Sequence, residues 1–205
     1  MYCPSKMAGN TAQATQQPVK HFNLVRCVAV CLLTLIVLVG LAVLITWLVI
    51  RPKRLVYTLE NGSLQHFNLN NKHINATFDF VLMAYNPNTK TSVYYDSMES
   101  VVSYKDQTLA FDTIDPFHQP HRDTARVESK LVAQNLALSP STYKDLRGEK
   151  SSGEIEVDVH YKSRVRFKVG MWKSKHRTLK IVCPSVKLHF SWSRHFENVP
   201  CEVEL

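Results

Sequence analysis

Glu154–Val169 reads EIEVDVHYKSRVRFKV, and its reading decides the fold class. Ile155, Val157, Val159 and Tyr161 occupy one side of a two-residue period, and Glu154, Glu156, Asp158 and His160 occupy the other. Val165, Phe167 and Val169 continue the apolar side while Arg164, Arg166 and Lys168 continue the polar one. Successive side chains of a strand point to opposite faces, so this alternation marks a strand with one face buried and one in water. A helix would instead repeat its apolar residues three and four positions apart.

Outward from this stretch the same period recurs. His73–Tyr85 sets Ile74, Ala76, Phe78, Phe80, Leu82 and Ala84 on one face, and Thr124–Ala133 does so with Val127, Ser129, Leu131 and Ala133. Leu55–Leu59, Leu64–Leu69, Ser92–Tyr95, Glu99–Tyr104, Thr108–Phe111, Leu179–Cys183, Val186–Phe190 and Val199–Leu205 read as shorter strands. Asn86-Pro87-Asn88 and Lys105-Asp106-Gln107 have turn chemistry, and Asp112–Arg122, with Pro116 and Pro120, reads as a loop. One short helix interrupts the strands, with Ser139 as its cap, Pro140 at its first position and Gly148 as its stop. Many short, half-buried strands imply a mainly β fold, an antiparallel sandwich over residues 51–205.

Ahead of this domain stands Cys27–Ile50, CVAVCLLTLIVLVGLAVLITWLVI, without a single charge. A helix rises about 1.5 Å per residue and a bilayer core is about 30 Å thick, so about 20 apolar residues span it. Arg26 bounds the run on one side and Arg51, Lys53 and Arg54 on the other, with Trp47 near the second edge. A cleaved signal peptide has a shorter core and a small-residue cleavage site, so the segment reads as a retained signal anchor. Residues 1–26 read as a disordered cytoplasmic tail, on the polar, small-residue composition of residues 1–20. Cys27 and Cys31 lie one helical turn apart at the inner edge. They are suited to reversible palmitoylation or, more plainly, are small lipid-facing residues.

The net charge is +8, and only Lys6, Lys20 and Arg26 of the 25 basic residues fall within residues 1–50. With a membrane span in the chain, this balance points to anionic lipid or an acidic extracellular polymer and away from nucleic acid. Flanking charge does not fix the orientation of the span. Asn61-Gly62-Ser63 and Asn75-Ala76-Thr77 are glycosylation sequons after it, and Cys183 and Cys201 form an even pair there. An even pair suits a disulfide in an oxidising compartment, with two buried thiols as the alternative. Both features favour the tail inside and the domain outside.

No phosphate loop, dinucleotide fingerprint, nucleophile elbow or paired zinc-ligand motif occurs in the sequence, so neither an enzyme nor a cofactor is expected. Asp115, His118, His121 and Asp123 hold metal-ligand chemistry, but the intervening prolines make this stretch an ordinary polar loop. The strongest charge feature is His160–Phe196, with ten Lys and Arg residues and no acid. Arg164, Arg166 and Lys168 form its most regular row. Such a row is either the solvated face of a strand or a basic surface for acidic partners.

Several of these features, taken in order, resemble the plant NHL family, the harpin-induced and non-race-specific-disease-resistance-like membrane proteins. They are Leu48-Val49-Ile50-Arg51-Pro52-Lys53 at the end of the span and Phe78–Tyr85 running into Asn86-Pro87-Asn88. Lys90, Tyr94-Tyr95-Asp96, Val165–Gly170, Cys183 and Cys201-Glu202-Val203 follow. The resemblance implies a late-embryogenesis-abundant type 2 domain with a fibronectin-III-like sandwich. It also implies a plasma-membrane location, a role in plant defence or stress of the hypersensitive-response type, and contact with a signalling protein or the wall instead of catalysis. Asn86, Pro87 and Asn88 enter as structural hallmarks. A lipid-handling sandwich is the alternative.

Overall fold

The computed structural model describes residues 19–50, 53–190 and 196–204. Residues 1–18 of the expected disordered tail and the side chain of Trp47 lie outside what it describes. The chain divides into two compact units, Met1–Arg51 and Pro52–Leu205.

The first unit holds one helix, α1 (Val19–Ile50). It begins upstream of the apolar run, so Val19–Arg26, read above as part of the tail, is helical. Its stretch Val25–Ile45 is long and apolar enough to cross a bilayer, and none of it is buried against protein. A soluble core helix of this composition would be covered on all sides.

The second unit is an antiparallel sheet curled into a barrel-like sandwich. Its elements are β1 (Val56–Asn70), β2 (His73–Tyr85), β3 (Thr91–Tyr104), β4 (Gln107–Ile114), β5 (Phe117–Gln119), β6 (Thr124–Ala137), α2 (Pro140–Ser152), β7 (Glu154–Val169), β8 (Trp172–Lys173), β9 (Arg177–His189) and β10 (Val199–Glu204). The hydrogen-bonded order is β4-β3-β7-β9-β10-β1-β2-β6, with β5 added to β3 and β8 to β7. The two outer strands meet through side chains: Lys130 N donates to Asp112 Oδ2 at 3.0 Å, and Gln107 Nε2 donates to the Ala137 carbonyl at 2.9 Å. The inward residues named from alternation fill the interior, with Phe78, Phe80, Leu82, Leu131 and Tyr161 among the most deeply buried. A small barrel is filled by side chains in this way.

Four readings change. Leu55–Leu59 with Leu64–Leu69, Ser92–Tyr95 with Glu99–Tyr104, and Leu179–Cys183 with Val186–Phe190 are each one strand, β1, β3 and β9. Register shifts stand where breaks were expected. A bulge inserts extra residues into one strand without ending it, so it imitates a turn in sequence. Residues Pro184 and Ser185 show this well: Ser185 takes a positive φ of 54°, and its N–H donates to Asp158 Oδ1 at 2.9 Å. The Asp112–Arg122 loop contains β5 and the end of β4. Helix α2 does not stop at Gly148 but at Gly153, which has φ 89° and donates its N–H to the Glu149 carbonyl at 3.1 Å. A C-terminal cap needs this left-handed conformation, which glycine takes without a Cβ clash. Finally, the inward face of β7 is fully buried only as far as Val165; Phe167 and Val169 are half-buried.

Candidate functional site

The Asn-Pro-Asn element is the polar keystone of one barrel end. Asn86 is fully buried and uses its whole amide. Its Nδ2 donates to the carbonyls of Thr91 (2.8 Å) and Pro120 (2.9 Å), while its Oδ1 accepts from Asn88 N (3.1 Å) and Asn88 Nδ2 (3.0 Å). Asn88 in turn grips the main chain of Lys53 from both sides: its Oδ1 accepts from Lys53 N at 2.8 Å, and its Nδ2 donates to the Lys53 carbonyl at 2.9 Å. The first residues of the domain are thereby fixed to the β2–β3 turn. Pro87 needs no partner for the N–H it lacks.

Gln119 extends the network. It is fully buried, its Nε2 donates to the carbonyls of Ala84 (2.7 Å) and Asp123 (3.0 Å), and its Oε1 accepts from Tyr95 OH at 3.1 Å. Tyr95 OH lies 2.7 Å from Tyr57 OH. Burial pushes the Tyr95 phenol up to about 12 and the Tyr57 phenol well above its ordinary value, so both stay neutral donors through the physiological range. Gln119 was not singled out from sequence, because one glutamine among prolines and charges gives no periodic signal. The His118 ring lies tilted by 35° against Tyr94, with centroids 4.2 Å apart. Among the described residues no group of three or more His, Cys, Asp or Glu is placed to hold a metal ion.

The row Arg164, Arg166 and Lys168 does not act as three equal cations. Asp96 is the extra residue of the β3 bulge between Tyr95 and Ser97, and the bulge aims its carboxylate at Arg166. Arg166 Nε donates to Asp96 Oδ2 at 2.7 Å and Arg166 Nη2 pairs with Asp96 Oδ1, a two-point ion pair. The hydrogen bonds from Arg166 hold the Asp96 carboxyl below its usual range, and His176 Nε2 adds a contact at 3.4 Å. Sequence could not reveal this neutralisation, since Asp96 lies 70 residues from Arg166.

The basic surface is instead completed by neighbours. Lys162 stands directly opposite Lys180 across β7 and β9, and Lys168 opposite Lys173 across β7 and β8. Arg164 is exposed on the outward face of β7 that also carries Lys162 and Lys168. Like charges directly opposed on a sheet are destabilising. Here Glu99 faces Lys162 from β3 and Glu204 faces Lys180 from β10, so acids flank that pair, while Lys168 faces Lys173 with Ser92 on its other side.

The two sequons lie on the β1–β2 hairpin, and both asparagines are exposed. Asn61 follows the β1 register shift; a side chain on its neighbour Gly62 would come within 2.7 Å of the Phe196 ring. Asn75 lies at the other end of the barrel, where its Oδ1 accepts from Asn135 N at 2.7 Å. Cys183 and Cys201 are joined by a disulfide between facing positions of β9 and β10, with Cα atoms 4.2 Å apart. Cys27 and Cys31 are free and exposed on α1.

An apolar N-terminal helix here precedes a β-sandwich closed at one end by a buried Asn-Pro-Asn network. The late embryogenesis abundant protein family LEA_2 matches residues 81–183. NDR1/HIN1-like protein 3 of Arabidopsis thaliana is 36% identical, over 74% of this chain and 67% of its own length. NDR1/HIN1-like protein 10 is 29% identical over 79% and 73%. An uncharacterised Arabidopsis thaliana protein is 43% identical over 92% of this chain and 87% of its own. The chain belongs to the NDR1/HIN1-like family, a plant family related to stress and defence, and carries its LEA_2 domain. Among solved structures, a protein from Archaeoglobus fulgidus aligns at 6% identity over 65% of this chain and 98% of its own, with a TM-score of 0.32, a likeness too slight to carry an argument.

Proposed function

We propose that this protein is a plasma-membrane-anchored binding module of the plant defence or stress response, with its tail cytoplasmic and its sandwich outside. In this reading it works through contact and not catalysis. The buried polar side chains Asn86, Asn88 and Gln119 serve the fold, and the interior is filled, which leaves the outer surface to meet partners. The observation that carries the reading is the outward basic face of β7 and its neighbours, with Lys162 opposite Lys180 and Lys168 opposite Lys173. An acidic polymer of the cell wall would offer carboxylates to this row of cations, whose side chains stand about 7 Å apart along a strand. A signalling protein with an acidic surface would use the same face.

The test is binding of the full chain, reconstituted in neutral phosphatidylcholine vesicles, to polygalacturonate over a salt series. Lys162, Arg164 and Lys180 are changed together to Gln, and Arg166 is kept because Asp96 neutralises it. The expected result is binding that weakens with salt, since exposed charges are screened beyond about 8–10 Å, and that is lost in the triple variant. Unchanged binding in a folded variant rejects this face. Orientation is read separately: endoglycosidase should shift the chain isolated from plant membranes and leave the Asn61→Gln, Asn75→Gln double variant unmoved. Asn75, at the barrel end away from Lys53, should carry the larger share.

A further inference from the structure

The β7–β8 hairpin ends in a two-residue turn, Gly170-Met171, because Val169 pairs with Trp172 and Lys168 with Lys173. Gly170 has φ 57°, the left-handed conformation that so tight a turn requires and that glycine takes freely. The hairpin is also closed from behind. Ser174 N donates to the Phe167 carbonyl at 2.8 Å, and Phe167 N donates to Ser174 Oγ at 2.9 Å. The tip is therefore a held shape, and it shows two large apolar side chains to solvent: Met171 is 101% exposed and Trp172 65%. Folding of this chain does not account for either. Lys168, Lys173 and Lys175 lie within four residues of them along the hairpin, and Lys173 Nζ sits 4.9 Å from the centre of the Tyr94 ring.

The position of the tip decides what it meets. Val169 pairs with Thr91, the Thr91 carbonyl accepts from Asn86, Asn86 holds Asn88, and Asn88 grips Lys53. The tip thus lies at the same end of the sandwich as Lys53, which stands three residues after Ile50, the last residue of the apolar helix. A Met-Trp tip with lysines close by along the hairpin has the composition of an interfacial membrane contact. Indole prefers the headgroup boundary, and lysine reaches anionic headgroups while its stem stays apolar.

We propose that Met171 and Trp172 form a second, shallow membrane contact, which dips into the same bilayer that holds α1 and is drawn to anionic lipid by Lys168, Lys173 and Lys175. The contact fixes the orientation of the sandwich against the membrane, which a single helix and a short connection do not. This inference rests on the reading of α1 as a membrane anchor, and its test separates the two.

The full chain, with Trp47→Phe and Trp192→Phe so that Trp172 is the remaining indole, is reconstituted into phosphatidylcholine vesicles with and without phosphatidylserine. Alkaline carbonate extraction first reports the anchor: release of the chain into the supernatant overturns the anchor reading. For chain that stays embedded, the expected result is Trp172 emission quenched by a nitroxide on the lipid acyl chain and protected from aqueous iodide, more so with phosphatidylserine. Lys168→Gln, Lys173→Gln and Lys175→Gln together should remove that added protection. Met171→Ser should lower the ratio of protected to unprotected Trp172 roughly tenfold, the scale of one large apolar side chain returned to water. Trp172 quenched by iodide in an embedded chain overturns the tip contact. Protection from both quenchers means a protein contact in its place and overturns it as well.

Discussion

The two ends of the barrel are closed by different physics. At the end that carries Lys53, closure is directional, because Asn86, Asn88 and Gln119 satisfy main-chain groups from the segment before β1, from β2 and β3, and from the β5–β6 connection. At the other end closure is apolar and modular. Helix α2 lies across the opening, with Leu146 fully buried beneath it and Tyr104 OH donating to Glu149 Oε1 at 2.7 Å. An apolar plug tolerates small shifts, whereas a network in which each donor has one aim does not. The end whose chain follows directly on the apolar helix has the closure that fixes a single geometry.

Breaking the directional end should have the largest effect. Asn86→Ala strands the Thr91 and Pro120 carbonyls and the Asn88 N–H, and each buried polar group left unsatisfied costs about 1–3 kcal/mol. A loss of about 3–5 kcal/mol is expected in urea unfolding of the detergent-solubilised chain, followed by near-ultraviolet circular dichroism. A loss below about 1 kcal/mol would mean that water replaces the amide and that this end is not specially built. Leu146→Ala, the matching cut at the apolar end, should cost about 2–4 kcal/mol, the range for a buried leucine whose cavity partly collapses.

Alkali probes both ends, since burial holds up the phenols of Tyr57 and Tyr95 at the directional end and that of Tyr104, with its bond to Glu149, beneath α2. Tyr95 is held at about 12, above the ordinary tyrosine value of about 10. Between these values the unfolded chain releases the proton and the folded chain keeps it. Stability is therefore whole below about pH 10 and falls as pH rises toward 12, by on the order of 2 kcal/mol. Tyr95→Phe should flatten that part of the profile while weakening the protein at neutral pH. An unchanged alkaline slope would assign the loss elsewhere, with Tyr161, also held at about 12, the next group to change.

Sequence alternation named the inward residues of β2, β6 and most of β7 because burial of one face is a local, periodic constraint. It split β1, β3 and β9 because bulges at Glu60, Asp96 and Pro184-Ser185 carry the same residue types as turns. The Asn-Pro-Asn motif was legible as a landmark, but its work was not. The partners of Asn86 and Asn88 include Pro120 and Lys53, more than thirty residues away. The row Arg164, Arg166 and Lys168 was legible as charge, and only the fold shows that Asp96 takes one member out of it.

Helix α2 offers the smallest effects, and their signs differ. Sequence made Gly148 the stop, but it lies inside the helix, exposed, with nothing within 4 Å of the point where a Cβ would stand. Glycine in a helix interior is less favourable than alanine by roughly 0.5–1 kcal/mol, because it gives up more backbone freedom on folding. Gly148→Ala should therefore raise stability by about that amount. Gly153, the true stop, has equal space around it but a φ of 89°. There alanine meets its own backbone, at a cost of roughly 1–2 kcal/mol. One exchange made at two glycines five residues apart should thus shift the urea midpoint in opposite directions. If both variants move the midpoint the same way, backbone conformation does not govern this end, and the helix is held by its tertiary contacts alone.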